Sequence, residues 1–325
     1  MRKIVFIIIA LFAISQNICA QGMTATLQSG DNLKVFYGID AFKEAYEAAK
    51  DGDQITLSAG TFNALSNSVS KSVKITGVGA FEDTGNTIID TLYISGSDVR
   101  IEGIRLSKKL DATGSVNLIV TRCRVYYLYA SNNYTNPLFN ECALLYPRFL
   151  KYARGFTIKN STIYTFNGDD NKDVTNVGNI LNCVIYDYPY TLPPCAIYKN
   201  CLIGRDASTY NYTTITCEAP SEFYYNVFYM HASSTWATKG YSLKINYSTG
   251  CINNGNVNLD SRSISISYPA KENNVGNGDD GTPVGIYGGT GFSPYPAIPR
   301  ILSKSVDAYT NDEGKINVNI EVKAE

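Results

Sequence analysis

The chain has 325 residues, 44% of them hydrophobic, with 28 Lys and Arg against 29 Asp and Glu and a formal net charge of −1. That is enough apolar material for a large core. Without Arg2 and Lys3 the balance is 26 basic to 29 acidic, so no electrostatic footprint for nucleic acid exists.

The first predicted element is an export signal. Arg2 and Lys3 precede an apolar run from Ile4 to Ile14, and Ile18-Cys-Ala20 followed by Gln21 has the form of a signal-peptidase site. The run is too short to span a bilayer and no second one follows, so no membrane span is predicted. Residues 1–20 are read as a signal peptide cleaved after Ala20, with an exported, periplasmic, cell-surface or extracellular product.

Residues 21–38 are polar, with one strand-like run at Leu33 to Tyr37. Asp40 is placed as the N-cap of a helix over 41–50, where Phe42, Ala45, Tyr46 and Ala49 share one face and Gly52 suits the turn that follows. Such a helix would cover the open first coil of whatever comes next.

From Val99 to Tyr229 one phrase recurs. Its clearest copies are Ile180-Leu-Asn-Cys-Val-Ile-Tyr186 and Ile197-Tyr-Lys-Asn-Cys-Leu-Ile203; Phe156 to Tyr164 carries Ser in place of Cys. The marker positions are read as Gly103, Cys123, Cys142, Ser161, Cys183, Cys201 and Asn226. Period-2 apolar patterning repeated every 18–25 residues is the mark of a β-solenoid, in which one coil stacks on the next. Alternation turns the marker inward. The Asn before it at 160, 182 and 200 suits a sharp left-handed corner, and stacked Asn can hydrogen-bond between coils; Glu102, Arg122 and Glu141 take that place elsewhere and break any ladder.

Before these coils stand Asp51-Gly-Asp-Gln-Ile-Thr-Leu-Ser-Ala-Gly-Thr-Phe62 and Val73-Lys-Ile-Thr-Gly-Val-Gly79. A helix followed by these two segments resembles the opening of secreted parallel β-helix proteins of the pectin-lyase-like superfamily. The likeness covers roughly 40–260, and the chain as a whole is similar to uncharacterised exported β-helix proteins of gut Bacteroidetes. The resemblance implies an all-β fold: a single-stranded right-handed parallel β-helix with an N-terminal capping helix and a C-terminal β-hairpin. It does not decide activity, because that superfamily includes lyases, hydrolases, esterases and non-catalytic surface proteins.

Residues 253–294 are rich in Gly, Asn, Ser and Pro and are read as mostly loop. Asn311 to Gly314 signals a turn, and Ile316, Val318, Ile320 and Val322 alternate on one face. The domain reading is 21–295 for the β-helix with its cap and 296–325 for a hairpin packed upon it.

Seven cysteines remain after Cys19, an odd number. Four share the inward marker position, where buried Cys acts as a small hydrophobe. A Cys195–Cys217 disulfide is an alternative for two others, and zinc lacks both a C-x-x-C pair and a second histidine beside His231.

No complete catalytic motif is present. Lyases of the resembled type use an Arg or Lys base and often calcium on carboxylates, which makes Arg124 and Arg154 the candidate bases, with Arg105 and Arg148 beside them. Asp169 and Asp170 are candidate catalytic carboxylates, and with Asp173 the candidate calcium ligands; Asp279–Asp280 is a second acidic pair. No cofactor is required by any motif. His231 has no acidic neighbour in sequence, so a lyase fits better than a glycoside hydrolase.

The tyrosines carry more. Tyr126, Tyr164, Tyr186 and Tyr229 each lie three residues after a marker and should face outward, and aromatic rings pack on the apolar faces of sugars while keeping a hydroxyl for hydrogen bonding. Tyr127, Tyr129, Tyr146, Tyr188, Tyr190, Tyr224 and Tyr225 lie near them in sequence. The alternative is that they stack on one another beneath the inserted loops. The leading expectation is a non-catalytic polysaccharide-binding protein, with a uronate lyase and a structural or adhesive surface protein as alternatives.

Overall fold

A computed structural model describes residues 22–81, 85–130, 134–148, 153–164, 178–187, 191–192, 196–206, 214–217, 222–231, 242–244, 247–249, 252–254, 278–296, 300–306, 314–315 and 318–323. The chain is an all-β parallel solenoid, with one helix among these residues. Two long sheets run along it. Sheet A has 12 strands and sheet B has 10, and successive coils add one parallel strand to each. A third side is made of short parallel pairings such as Tyr134–Thr135 with Ala153–Arg154, extended by single bridges from Ser97 to Val116 and from Val116 to Thr135.

From Asp98 to Asn160 each coil turns twice through left-handed backbone. The corner between sheets A and B has positive φ at Gly103, Arg122, Glu141, Asn160, Asn182, Asn200 and Tyr225. The corner that enters sheet A has it at Asp98, Asn117, Asn136 and Gly155, each 19 residues after the last. The expected side-chain ladder forms at this second corner, where Asn117 Nδ2 donates to Asp98 Oδ1 (3.0 Å) and Asn136 Nδ2 to Asn117 Oδ1 (3.3 Å).

The register corrects one marker. Arg124 pairs with Arg105 and Val125 with Leu106, so Cys123 sits opposite Ile104 and Arg122 opposite Gly103. The first inward marker is therefore Ile104, and Gly103 is the corner. From Ile104 the first three steps are all 19 residues. Glu102 lies on the strand one residue before the corner, beside Thr121. Instead of an interrupted amide ladder, charges alternate here: Arg122 reaches Glu102 at 3.4 Å and Glu141 at 3.0 Å, and Lys74 reaches Glu102 at 3.4 Å.

Inside the coils the marker residues form a polar seam through an apolar core. Cys123, Cys142, Cys183 and Cys201 are buried free thiols, as the core-thiol reading expects. Each Sγ contacts carbonyls of its own and the preceding coil, as Cys201 does with Lys199 O and Ile180 O, both 3.2 Å. Ser161 Oγ accepts from the Cys142 N–H (3.0 Å), and Asn226 Oδ1 from the Cys201 N–H (2.8 Å). Burial pushes the Cys123 thiol up to about 12 and those of Cys142 and Cys183 well above the ordinary range. Cys195 and Cys251 lie outside the described residues, as does the side chain of Cys217.

Two elements stand at the N-terminal end. Helix α1 (Ala41–Ala48) buries Ala41, Phe42, Ala45 and Tyr46 against the first coils. Asp40 holds the N-cap position, but its side chain makes no cap bond and instead accepts from Asn63 Nδ2 at 2.8 Å. Lys71 Nζ serves the other end, donating to the carbonyls of Tyr46 (2.8 Å) and Glu47 (3.1 Å), where the helix dipole favours a cation. Gly52 belongs to the later turn into sheet A, and Ala49 is the C-cap. The edge of sheet A is extended by an antiparallel hairpin of β1 (Thr24–Ser29) and β2 (Asn32–Tyr37), of which sequence analysis saw only the second strand.

The segment 278–296 is loop without regular strand, yet it is a strap fastened along the A–B corner. Asn200 Nδ2 donates to Asp279 Oδ1 (3.0 Å), and the Gly285 N–H to Asn200 O (2.9 Å). Buried Asn160 donates to Ile286 O (3.0 Å) and Gly288 O (2.6 Å) and accepts from Thr290 Oγ1 (3.1 Å). The Ser293 N–H donates to Glu141 Oε2 (2.8 Å). At Gly288 a Cβ would lie 2.0 Å from Pro283 O, so only glycine fits. Val284 and Ile286 bury the outward residues Val184, Leu202 and Val227, and Phe292 packs edge-on to Phe81 at 5.5 Å. The strap thus crosses the coils of Asn200 down to that of Glu141. After it, Arg300–Val306 and Val318–Lys323 pair as the antiparallel terminal hairpin.

Candidate functional site

The outer surface of sheet B gathers aromatics because its strands bend. In Arg124–Tyr129, Val125 and Leu128 point in, while the consecutive Tyr126 and Tyr127 both point out. The neighbouring strand Ile104–Asp111 takes an extra residue at the same level, a bulge at Ser107–Lys108. Two adjacent outward side chains between inward ones mark a local bend of the strand.

Four rings meet there. Tyr126 lies 4.7 Å from Tyr127 and 5.3 Å from Tyr146; Tyr127 lies 5.1 Å from Tyr146, and Tyr146 6.1 Å from Tyr164. Most are edge-on, the favourable arrangement for ring quadrupoles. Desolvation, then the neighbouring Tyr126, Tyr164 and Tyr127 hydroxyls, push the Tyr146 hydroxyl up. The Arg148 guanidinium stands 5.7 Å over the Tyr127 ring.

A second group continues the surface. Lys109 Nζ lies between the rings of Tyr93 (5.0 Å) and Tyr129 (5.1 Å) and pairs with Asp111 at 2.8 Å. The Asp111 hydrogen bond holds the Lys109 ammonium above its ordinary range. Across from the bulge, Asp90 pairs with Lys108 at 2.7 Å and accepts from Ser107 Oγ, which lowers its carboxyl. Tyr93, Tyr126, Tyr127 and Tyr129 are all exposed.

The predicted tyrosine row is only partly assembled. Leu145, buried, stands between Tyr126 and Tyr164, and Gly204 separates Tyr186 from Tyr229. Tyr127 and Tyr146, from the neighbouring row, join Tyr126 to Tyr164. The backbones of Tyr186 and Tyr229 lie in sheet B, but their side chains fall outside the described residues. Tyr224 and Tyr225 are elsewhere: Tyr224 is on sheet A, its hydroxyl donating to Glu222, and Tyr225 is at a left-handed corner. Tyr188 and Tyr190 fall outside the described residues. Sequence analysis passed over Tyr93 and Lys109, whose pairing across coils is signalled only by register.

The candidate bases separate. Arg124 is half-buried on sheet B next to Arg105, and burial followed by that neighbouring charge lowers its guanidinium. Arg105 Nε donates to Ala80 O at 3.0 Å. Arg154 is on the third side of the coil, away from both. Asp169, Asp170 and Asp173 lie outside the described residues. Asp279 and Asp280 have structural partners: Asp279 pairs with Lys199 at 2.7 Å and holds Asn200, and Asp280 Oδ1 accepts from Thr282. Among the described residues no group of three metal-ligating side chains occurs. His231, without an acidic neighbour in sequence, pairs in register with Asp206 of the preceding coil.

Fold and surface together define a parallel β-solenoid that displays an aromatic face studded with cations. No family model, no curated protein and no solved structure matches the chain. Among the described residues no helix is long and apolar enough to cross a membrane.

Proposed function

We propose that this chain is an exported, non-catalytic protein of pectin-lyase-like type that binds polysaccharide on the outer surface of sheet B. One observation carries the reading: Tyr93, Tyr126, Tyr127 and Tyr129 present exposed rings on the outer surface of sheet B, interleaved with Lys109 and Arg148. Rings offer apolar stacking area to sugars, and the ammonium and guanidinium groups offer donors to hydroxyls or carboxylates. The candidate bases Arg124 and Arg154 lie on different sides of the coil, which favours binding over a lyase. Export rests on residues 1–20, and the packing of hairpin 296–325 on the solenoid belongs to the same reading. No cofactor is needed.

The test is affinity electrophoresis and calorimetry of the protein against neutral and uronate-containing polysaccharides. The double variant Tyr126→Ala, Tyr127→Ala should lose at least tenfold in affinity for any glycan bound, with unchanged far-ultraviolet dichroism. Unaltered affinity would remove the tyrosine surface from the function.

A uronate lyase is the second reading, favoured by the half-buried Arg124 with its lowered guanidinium beside Arg105. Appearance of the unsaturated product's ultraviolet absorbance on any uronate polymer, abolished by Arg124→Ala, would replace the binding reading with this one.

A further inference from the structure

The helix closes the interior of the first coil, but among the described residues nothing pairs with the hydrogen-bonding edge of sheet A. That edge is β2, the last strand of the 12. Its outward side chains are apolar: Leu33 is 68% exposed, Val35 38% and Tyr37 73%. Ile39 follows at 47%. Protein edges of this kind are normally blunted by charge, proline or a covering loop. In β2 Lys34 is the one charged residue, and its Nζ turns back over the Phe36 ring at 4.6 Å on the other face.

The backbone phase is fixed by one bond. The Gly38 N–H donates to Met23 O, which continues the register of Tyr37 with Thr24. In an antiparallel pair, N–H and C=O of one residue point the same way and alternate along the strand. Gly38, Phe36, Lys34 and Asn32 therefore face β1. Leu33, Val35 and Tyr37 direct their N–H and C=O groups away from the sheet. The three residues with exposed apolar side chains are the three whose backbone groups await a partner.

We infer that the partner is a second copy of this chain, joined through β2 to β2 about a two-fold axis at Val35. In that antiparallel register Val35 faces its own copy, and Leu33 faces Tyr37 of the other chain in both directions. All three residues then form closely hydrogen-bonded pairs, and Leu33, Val35 and Tyr37 of both copies make one apolar strip. Lys34 meets Phe36 of the second copy, repeating the cation–ring contact it already makes. Moving the axis to Lys34 would set two ammonium groups opposite each other, which is destabilising. Moving it to Phe36 would leave Leu33 without an outward-facing partner inside the strand. The strand is thus self-complementary in one register, the requirement of an isologous interface. The dimer joins the two 12-stranded sheets edge to edge.

Sedimentation velocity of the full chain, expressed with its native N-terminus, tests this across the micromolar range. The native protein should self-associate to a dimer. Val35→Lys puts two charges on the axis at Cα positions about 5.5 Å apart, and should weaken association at least tenfold while the thermal melt is unchanged. Leu33→Lys with Tyr37→Lys should likewise give monomer, whereas Leu33→Glu with Tyr37→Lys should restore the dimer by pairing opposite charges across it. A native protein that is monomeric at every concentration overturns the inference. So does a dimer that survives Val35→Lys. Failure of the combined Leu33→Glu and Tyr37→Lys variant to restore association overturns the register.

Discussion

Replacing Asn160 with Ala should free the strap from the solenoid. Asn160 is 2% exposed and its amide makes three bonds to 286–290. Alanine would leave the carbonyls of Ile286 and Gly288 buried without their donor, at about 1–3 kcal/mol each. It would also have to hold φ at 45°, a left-handed conformation costing ordinary residues roughly 1–2 kcal/mol. That strain stays with the corner whether or not the strap is docked; the strap is a surface segment and can shift to admit water, so the expected effect on docking is about 3 kcal/mol, in the lower part of the roughly 2–6 kcal/mol for the two carbonyls. Because the strap docks on coils that are complete without it, the loss should appear as local opening rather than global unfolding. At about 1.4 kcal/mol per tenfold, amide exchange over 284–291 should accelerate about a hundredfold, while the amides of Val120, Phe139 and Ile158 keep their native rates. Asn160→Gly loses the same bonds while tolerating the left-handed corner, so its strap should exchange about as fast as in the Ala variant while the coils lose less global stability. Exchange over 284–291 within twofold of native in Asn160→Ala would refute the reasoning. A uniform acceleration across the coils would refute it equally, since the strap would then be part of the core.

Two further outcomes are expected from the interior. The buried thiols should resist iodoacetamide in the native protein at pH 8 and react fully in denaturant. The folded values of Cys123, Cys142 and Cys183 are raised above the ordinary value of 9.0, so the unfolded chain releases protons first and stability should fall as pH rises from about 9 toward 12; a melting temperature flat across that range would contradict the buried seam. Arg122→Met keeps the length of the stem but removes the cation between Glu102 and Glu141, whose side chains are only 12% and 10% exposed. Lys74, Asn140 and the Ser293 N–H still serve those carboxylates, so the cost should be about 2–3 kcal/mol, below the range for a fully orphaned buried charge. Urea denaturation showing less than about 0.5 kcal/mol, within the scatter of surface substitutions, would mean that the charges are solvated.

The coils were legible because their signal is local and repeated. Alternation placed Cys123, Cys142, Ser161 and Cys183 inward, and inward they are. It misplaced Gly103 because a glycine can stand at either the marker or the corner, and only the pairing of Arg105 with Arg124 separates the two. The second corner at Asp98, Asn117, Asn136 and Gly155 was available at a constant spacing of 19 but is hidden among residues that also signal ordinary turns. Strand β1, Thr-Ala-Thr-Leu-Gln-Ser, has no apolar run, so its strand state depends on the partner it finds in Gln54–Leu57. The tyrosine surface was half legible. Strict alternation would place Tyr127 inside; the bend in sheet B turns it out, and a bend is a property of the stack rather than of any one segment. The strap was invisible for the same reason. Its Gly and Pro content reads as loop, and Asp279 and Asp280 read as an acidic pair within it, until coils far away in sequence supply Lys199 and Asn200 as partners.

The strap also sets an order of assembly. Coil-to-coil bonds join residues close in sequence, such as Asn117 to Asp98, 19 residues apart. They can form as each coil is added to the one before, as in repeat proteins generally. The bonds of the strap span 126 to 152 residues at Asn160 and Glu141. Their docking line does not exist until the coils from Glu141 to Asn200 have stacked. Fastening is then the slow, non-local closing event of folding. A chain that emerges N-terminus first can wind its coils in sequence and needs its last stretch only to lock them. Truncation before Gly278 should therefore leave a protein that winds at the native rate and unwinds faster.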